Sequence, residues 1–355
     1  MSSPRKIKLG YSCWGFLGKG VVDTPDGGRS HRLVLLKELI KRNFSIYMLQ
    51  KNRDLIEAGD DFSSSYLSFR EDLPDIDALF LEYRWPIPGR NCQVDKKSTE
   101  YTPDLDRQNE LLKHYQTQRI PILIWDKDQK LEKKIFPGNV VIFEAALKPR
   151  PGRVKLLFPV DDDKVQKAIR SLDRYSKENK KNKLVYIGNR YERDETFKKY
   201  YIDSTKLLNS TVFIYGKWKN FPDKCKNLNF MGRIGYNKVC SVYLNSFLTI
   251  LIAPDRYYQS GQYTQRLFES LWGLCLPLVP EEYYQKEKII LPELVVGSSE
   301  NIVKKINWLT SLVNQEIKSI LKKQLEMLKI FSVEKQVEVI IKQLKKVKDA
   351  NGRIS

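Results

Sequence analysis

Apolar residues recur along this chain in two patterns that alternate. Compact apolar runs, KIKLGYS from Lys6, SIYMLQ from Ser45, ALFLEYR from Ala78, IPILIWD from Ile120 and VVIFEAA from Val140, read as buried strands. Between them, apolar positions fall at three- and four-residue spacing: RLVLLKELIKR puts Leu33, Leu36, Leu39 and Ile40 on one helical face, and LDRQNELLKHY follows Pro103. A second series begins at KLVYIGN from Lys183 and continues through TVFIYGK from Thr211, NLNFMG from Asn227, FLTILIAP from Phe247, LPLVPEE from Leu276 and ELVVG from Glu293. Helices are expected between these at residues 194–201, 236–244, 265–274 and 300–313. Strand and helix alternating in this way is the pattern of parallel α/β layers, and two series predict two Rossmann-like domains.

The stretch 164–183 separates the series with eight Lys or Arg and two acids, and reads as a basic connection. The expected division is therefore an N-terminal domain over 1–163, the connection 164–183, a second domain over 184–330 and a C-terminal helix over 331–355. In that helix Val337, Ile340, Ile341, Leu344 and Val347 line one face, which is expected to dock across the domains.

Composition adds a constraint on partners. The 355 residues carry 62 Lys and Arg against 43 Asp and Glu, a net charge of +19. Nucleic acid, an anionic surface or a phosphorylated substrate all suit that charge. Five cysteines without a C-x-x-C pair write neither a zinc site nor a disulfide framework. The first residues lack the apolar core of a signal peptide and no run is long enough for a membrane span, so a cytoplasmic monomer is expected, in the host cytoplasm if a phage or virus encodes it.

Open α/β sheets bind ligands beyond the carboxyl ends of their strands. After the first strand come Gly15, Gly18, Gly20 and DGGRSHR, a glycine-rich turn whose amides can receive an anion and whose Ser30 can cap the next helix. In the second series KLVYIGN leads into RYERDE, setting Arg190 and Arg193 at a strand end beside a helix start, an arrangement suited to a diphosphate. In YTQRLFESLWG, Arg266 and Glu269 share a helix face. They form either a clamp for nucleotide phosphate and ribose hydroxyls or a simple intrahelical ion pair. The first domain offers carboxylates at strand ends: Glu82, Asp126, Asp128 and Glu144. Asp126 follows the most apolar strand, where partial desolvation would make it a better base. Asp126, Lys127 and Asp128 also spell D-x-D, but with no third ligand in view no metal is assigned to them. His31 and His114 stand in no hydrolase triad.

From Phe230 to Tyr283 the order of short strand, GxI turn, helix, apolar strand, tyrosine loop, R-x-x-E helix and apolar strand ending in acids resembles the phage DNA β-glucosyltransferases, and more broadly the GT-B superfamily of nucleotide-sugar transferases. The resemblance implies two Rossmann-like domains facing a cleft and a UDP-sugar donor, UDP-glucose first. It implies that Gly188, Arg190 and Arg193 hold the diphosphate, with shorter spacing here than in the family; Gly18 and Gly20, from the glycine-rich turn of the first domain, are added to the donor site on their own reading. Ile234 would meet the uracil through its backbone, Tyr258 would lie near the phosphates, Arg266 would bind them and Glu269 would take the ribose hydroxyls. Asp126 falls where the family has its catalytic aspartate. The implied reaction is inverting transfer; arginines can neutralise the leaving group, so Mg²⁺ can assist without being required.

The first domain matches only in layout, so the acceptor is read from its own residues. Tyr83, Arg84 and Trp85 beside Arg90, and Glu144 followed by Lys148, Arg150, Arg153 and Lys155, suggest duplex DNA with an extruded base, and the resemblance implies that this base is a hydroxymethylated pyrimidine. The alternatives are a glycan, glycoconjugate or capsid acceptor on the same fold, or a DNA-binding protein without transfer activity.

Overall fold

A computed structural model of the chain describes residues 5–20, 27–86, 104–132, 137–208, 211–218 and 228–352. Arg90 lies outside them. The first sheet holds β1 (Ile7–Ser12), β2 (Phe44–Met48), β3 (Leu67–Phe69), β4 (Ala78–Glu82), β5 (Ile122–Asp126), β6 (Val140–Glu144) and β7 (Val154–Lys155), ordered 3-2-1-4-5-6-7 with every pairing parallel. The second holds β8 (Asn182–Ile187), β9 (Val212–Tyr215), β10 (Leu228–Gly232), β11 (Ser246–Ile250), β12 (Leu276–Pro280) and β13 (Val295–Val296), ordered 10-9-8-11-12-13 and also parallel. The order reverses between β1 and β4 in one sheet and between β8 and β11 in the other, which opens a crevice at each carboxyl edge.

Sequence explains which strands are central. Strands β4, β5, β11 and β12 are buried at every position, as continuous apolar runs covered by helices on both faces should be. The strands without a sequence signal, β3 and β7, are edge strands of three and two residues, too short to carry a period. The helix Arg32–Lys41 buries Leu35, Leu36 and Leu39, with Leu33 and Ile40 at the margin of that face.

The basic stretch 164–183 is folded rather than extended. Asp161 caps the helix Asp162–Ser171, which buries Val165 and Ala168 and packs on the helices Gln265–Trp272 and Asn314–Glu326. Several of its cations close backbone ends: Lys177 Nζ donates to the Thr310 and Leu312 carbonyls, and Lys180 Nζ to those of Leu244, Gly273 and Leu274. After the second domain the chain returns to the first. Val160 exchanges backbone bonds with Phe331 (2.8 Å) and Val333 (3.2 Å), and Gln336 accepts from the Leu157 amide. The final helix, Val333–Gly352, then lays its apolar face on Arg32–Lys41 and β6. No described helix is long and apolar enough to cross a membrane.

Candidate active site in the interdomain cleft

In the second domain the turn after β8 is built by close approach. A Cβ on Gly188 would stand 2.7 Å from the Tyr186 hydroxyl and 2.8 Å from Arg266 Nε, so only glycine lets these groups meet there. Trp218 Nε1 donates to the Gly188 carbonyl at 2.7 Å and fixes the turn from behind. The Tyr186 hydroxyl accepts from Arg193 Nη1 at 2.7 Å, while the Arg266 guanidinium lies 5.6 Å from the Tyr186 ring centroid and donates to the Ile252 carbonyl. Tyr186 thus brings Arg193 and Arg266 together across Gly188. Arg190, four residues before Asp194, is clamped to that carboxylate, with Nε 2.9 Å from both oxygens. Tyr258 is buried and its hydroxyl accepts from the Ala253 amide, so it shapes the loop after β11.

Arg266 and Glu269 turn to different partners. Glu269 accepts from Ser30 of the first domain, whose hydroxyl also lies 2.8 Å from that of Tyr236. Burial pushes the Glu269 carboxyl above the usual range, against the Ser30 bond and the Arg266 charge. Ser30 is therefore not a helix cap: the cap position is His31, with no side-chain capping bond, and its Nδ1 lies 2.7 Å from Gln265 Nε2. Ile234 sits half-buried between β10 and the helix Tyr236–Leu244, on the same side as Tyr236. Gly188, Arg193, Ile234, Arg266 and Glu269 all belong to the second domain, and Glu269 meets the first domain at Ser30, downstream of the glycine-rich turn of Gly15, Gly18 and Gly20.

That turn is anchored elsewhere. The amides of Leu17 and Gly18 donate to Asp54 at 3.0 and 2.7 Å, and the amide of Gly20 donates to Asp60 at 3.1 Å. The anion on these amides is the domain's own carboxylates, and the second domain is met instead by Ser30 and His31, through Glu269 and Gln265.

Asp126 ends β5 and is wholly buried. Its oxygens accept the amides of Lys130 (2.9 Å) and Leu131 (2.8 Å) and Arg150 Nη2 (2.7 Å). Burial raises its proton affinity, and the two amides and Arg150 act against that. Glu144 is its register partner on β6 and holds the Arg150 amide (2.8 Å) and Nε (2.6 Å). The turn after Asp126 meets the second domain closely: Gln129 bonds to Ser260 and Gln262, Gln262 donates to the Lys127 carbonyl, and Tyr257 donates to Asp128 at 2.7 Å. Lys130 pairs at 2.9 Å with Glu192, which lies in the Arg190 to Arg193 loop at φ 47° and also pairs with Arg256. Sequence reading missed Tyr186, Trp218 and Glu192, since each acts through a partner 30 or more residues away or through a neighbour's backbone.

The remaining acceptor-side residues divide. Arg84 is buried, donating to the Trp14 carbonyl and to Glu82, which also takes Arg32, Lys127 and Tyr11. Arg84 is thus part of the domain's interior. Tyr83 and Trp85 are half-buried at the rim, and Lys148 is exposed with its ammonium 5.3 Å from the Tyr284 ring. Arg153 reaches the Glu132 carbonyl. Among the described residues no group of three or more His, Cys, Asp or Glu side chains is placed to hold a metal ion. An open concavity of about 660 Å³ at the ends of β12 and β13, lined by Glu281, Lys286, Gly297 and Asn301, contains none of these residues.

Two parallel Rossmann-like units with a C-terminal helix returning to the first define the fold of the GT-B glycosyltransferases, and this chain has that fold. Among solved structures it is similar to T4 phage β-glucosyltransferase in complex with UDP and Mn²⁺, with TM-score 0.62 and 15% identity over 95% of this chain and 99% of that one. It is also similar to a glycosyltransferase from Rickettsia africae (TM-score 0.59, 11% identity, 96% and 98% covered). A third is Anabaena HepE in complex with UDP-glucose (TM-score 0.55, 9% identity, 96% and 100% covered). No family model and no curated protein sequence matches the chain.

Proposed function

We propose that this protein transfers a sugar from a UDP-sugar, with UDP-glucose the first candidate, to a hydroxymethylated pyrimidine in duplex DNA. The observation that carries the donor half is the convergence of Arg193 and Arg266 on Gly188, beside Glu269, in a fold whose solved examples include complexes with UDP and UDP-glucose. In this reading Arg193 and Arg266 stabilise the departing diphosphate and Glu269 accepts the ribose hydroxyls once Ser30 yields it. Asp126 takes the proton of the acceptor hydroxyl as its oxygen attacks the anomeric carbon from the side opposite the diphosphate, which inverts that centre. Mg²⁺ can assist the leaving group without being required.

Removing the ribose partner leaves buried nucleotide hydroxyls unsatisfied. Glu269→Ala is expected to weaken UDP binding by about 1 to 3 kcal/mol. Calorimetry giving unchanged UDP affinity in a folded variant would overturn the assignment of Glu269.

The acceptor half rests on charge: a net +19, with Lys148, Lys155, Lys167, Arg170 and Lys181 exposed on the first domain and the crossing segment. Binding to duplex DNA should weaken by about 10³-fold or more between roughly 50 and 200 mM salt if six or more phosphates are met. Offered UDP-glucose, the protein should glucosylate hydroxymethylcytosine or hydroxymethyluracil duplexes and leave unmodified DNA untouched. Absence of binding at low salt would remove DNA as the acceptor and leave a glycan or surface acceptor for the same donor site.

A further inference from the structure

The proposed base is covered. Asp126 and Glu144 stand opposite one another on adjacent parallel strands, about 5 Å apart at the backbone as neighbouring strands are. Two carboxylates that close repel, and each would hold its proton more tightly without a shared counter-ion. Arg150 is that counter-ion: Nη2 reaches Asp126 at 2.7 Å and Nε reaches Glu144 at 2.6 Å. The exposures differ sharply. The Asp126 side chain is 1% exposed and that of Glu144 0%, whereas that of Arg150 is 40% exposed. The guanidinium therefore lies between the carboxylates and solvent. Arg150 shares Asp126 Oδ2 with the Leu131 amide while Oδ1 takes the Lys130 amide, so each oxygen already accepts a donor, and the two amides hold the carboxylate in place whether Arg150 stays or leaves. Arg153, 3.9 Å from Glu144, Lys155, the register partner of Glu144 on β7, Tyr83 and Asp128 are further charged or titratable groups around the pair.

We infer that Arg150 is a gate over Asp126, opened when a phosphodiester of the acceptor draws the guanidinium away. This rests on the transferase reading above and adds how acceptor binding switches the base on. Guanidinium binds phosphate with the same forked geometry it offers carboxylate, so a DNA phosphate near the exposed Lys148 and Lys155 competes directly for it. Withdrawal removes the shared positive charge from both carboxylates and uncovers Asp126 at the moment the acceptor arrives. Without acceptor, the closed gate protects the donor from water. When water does react, its oxygen bonds to the anomeric carbon, a water proton passes to Asp126, and the bond from that carbon to the β-phosphate oxygen breaks with its electron pair leaving on UDP. Glucose and UDP are the products, and Asp126 then loses the proton to solvent.

The experiment measures UDP release from UDP-glucose by the full chain, with and without unmodified duplex DNA, which offers phosphates but no acceptor hydroxyl. Wild type should hydrolyse donor slowly and be stimulated several-fold by the duplex. Arg150→Ala should start about tenfold higher without DNA, because the base is then uncovered throughout, and show no further stimulation. Because Arg150 also ties down the 144–153 loop through Glu144, Arg150→Lys is the second variant: it keeps a cation that phosphate can attract, and should retain stimulation from a raised baseline. A folded Arg150→Ala protein that hydrolyses donor no faster than wild type would overturn the gate. Fast hydrolysis in Arg150→Ala combined with no effect of DNA on wild type would overturn the phosphodiester trigger. Absence of both hydrolysis and transfer in wild type would instead be failure of the transferase reading itself.

Discussion

Asp126→Asn should lower sugar transfer at least about 100-fold while UDP affinity stays within twofold, since a base acts on the acceptor proton in the transition state and holds no part of the donor. The carboxylate is suited to the task by its place. It ends a strand buried at every position, and burial pushes its proton affinity above that of an ordinary aspartate. The sign follows directly: protonated Asp126 cannot accept the acceptor proton, so transfer should fall as pH drops through its pKa, and that acid limb should lie above the ordinary Asp value of about 3.9. Asn keeps the side-chain shape but presents an NH₂ to a site where the Lys130 and Leu131 amides and Arg150 all donate. Some stability is lost, and thermal unfolding must show that the variant is folded at the assay temperature. Steady-state rates for Asp126→Asn, Asp128→Asn and Glu144→Gln, with UDP calorimetry on each, make the comparison. If Asp128→Asn is the dead variant and Asp126→Asn is active, the base is the carboxylate that Tyr257 holds at the domain interface.

Comparing where these residues stand with their sequence signals shows which placements a sequence can reveal. Strands β4, β5, β11 and β12 were legible because burial on both faces writes a continuous apolar run, and Asp126 was legible because it interrupts one at its end. Arg190 and Arg193 were placed for a local reason as well, at a strand end before a short helix, which is where they lie. Gly18 and Gly20 carry the same glycine signal, yet their amides belong to Asp54 and Asp60, which sit about 40 residues later in the chain. No local pattern distinguishes a turn open to a ligand from one closed by its own domain. Arg84 illustrates the same limit from the side of charge. A basic residue in WPIPGR company reads as surface, and only the fold reveals that β4 places it beside Glu82 in the interior. The cations of 164–183 fail as a single basic face because Lys177 and Lys180 cap carbonyls and Lys164 lies over the Trp272 ring, 4.6 Å from its centroid.

The second large effect lies at Glu82, and it concerns stability. Its carboxylate is fully buried and accepts from the Tyr11 hydroxyl (2.6 Å), Arg32 Nη2 (2.6 Å), Lys127 Nζ (2.5 Å) and Arg84 Nη2 (3.3 Å). Burial alone would raise its pKa, but Arg32, Lys127 and Arg84 together override burial and hold the carboxyl well below the usual carboxylate range. Replacing it with neutral Gln removes one negative charge from among three buried cations and sets an NH₂ against donors. Leaving buried charge without its counter-charge costs about 3 to 5 kcal/mol, so Glu82→Gln should lower the unfolding free energy by that order. The pH dependence carries an independent sign. A carboxyl whose folded pKa is depressed contributes stability that is present above its unfolded pKa, near the ordinary Glu value of about 4.3, and is lost as pH falls through the folded value. Wild type should therefore lose stability on acidification over that window more steeply than Glu82→Gln. Urea unfolding at pH 7 and at successively lower pH measures both. A loss within about 1 kcal/mol at pH 7 would mean that the cations find other counter-charge when Glu82 is neutralised. The position gives the effect a functional reach: Glu82 ends β4, beside β1 at the point where the strand order reverses, and Lys127 follows Asp126 directly. A slackened hub there would loosen the turn of the proposed base, so a folded Glu82→Gln protein should also turn over more slowly, with its UDP affinity unchanged.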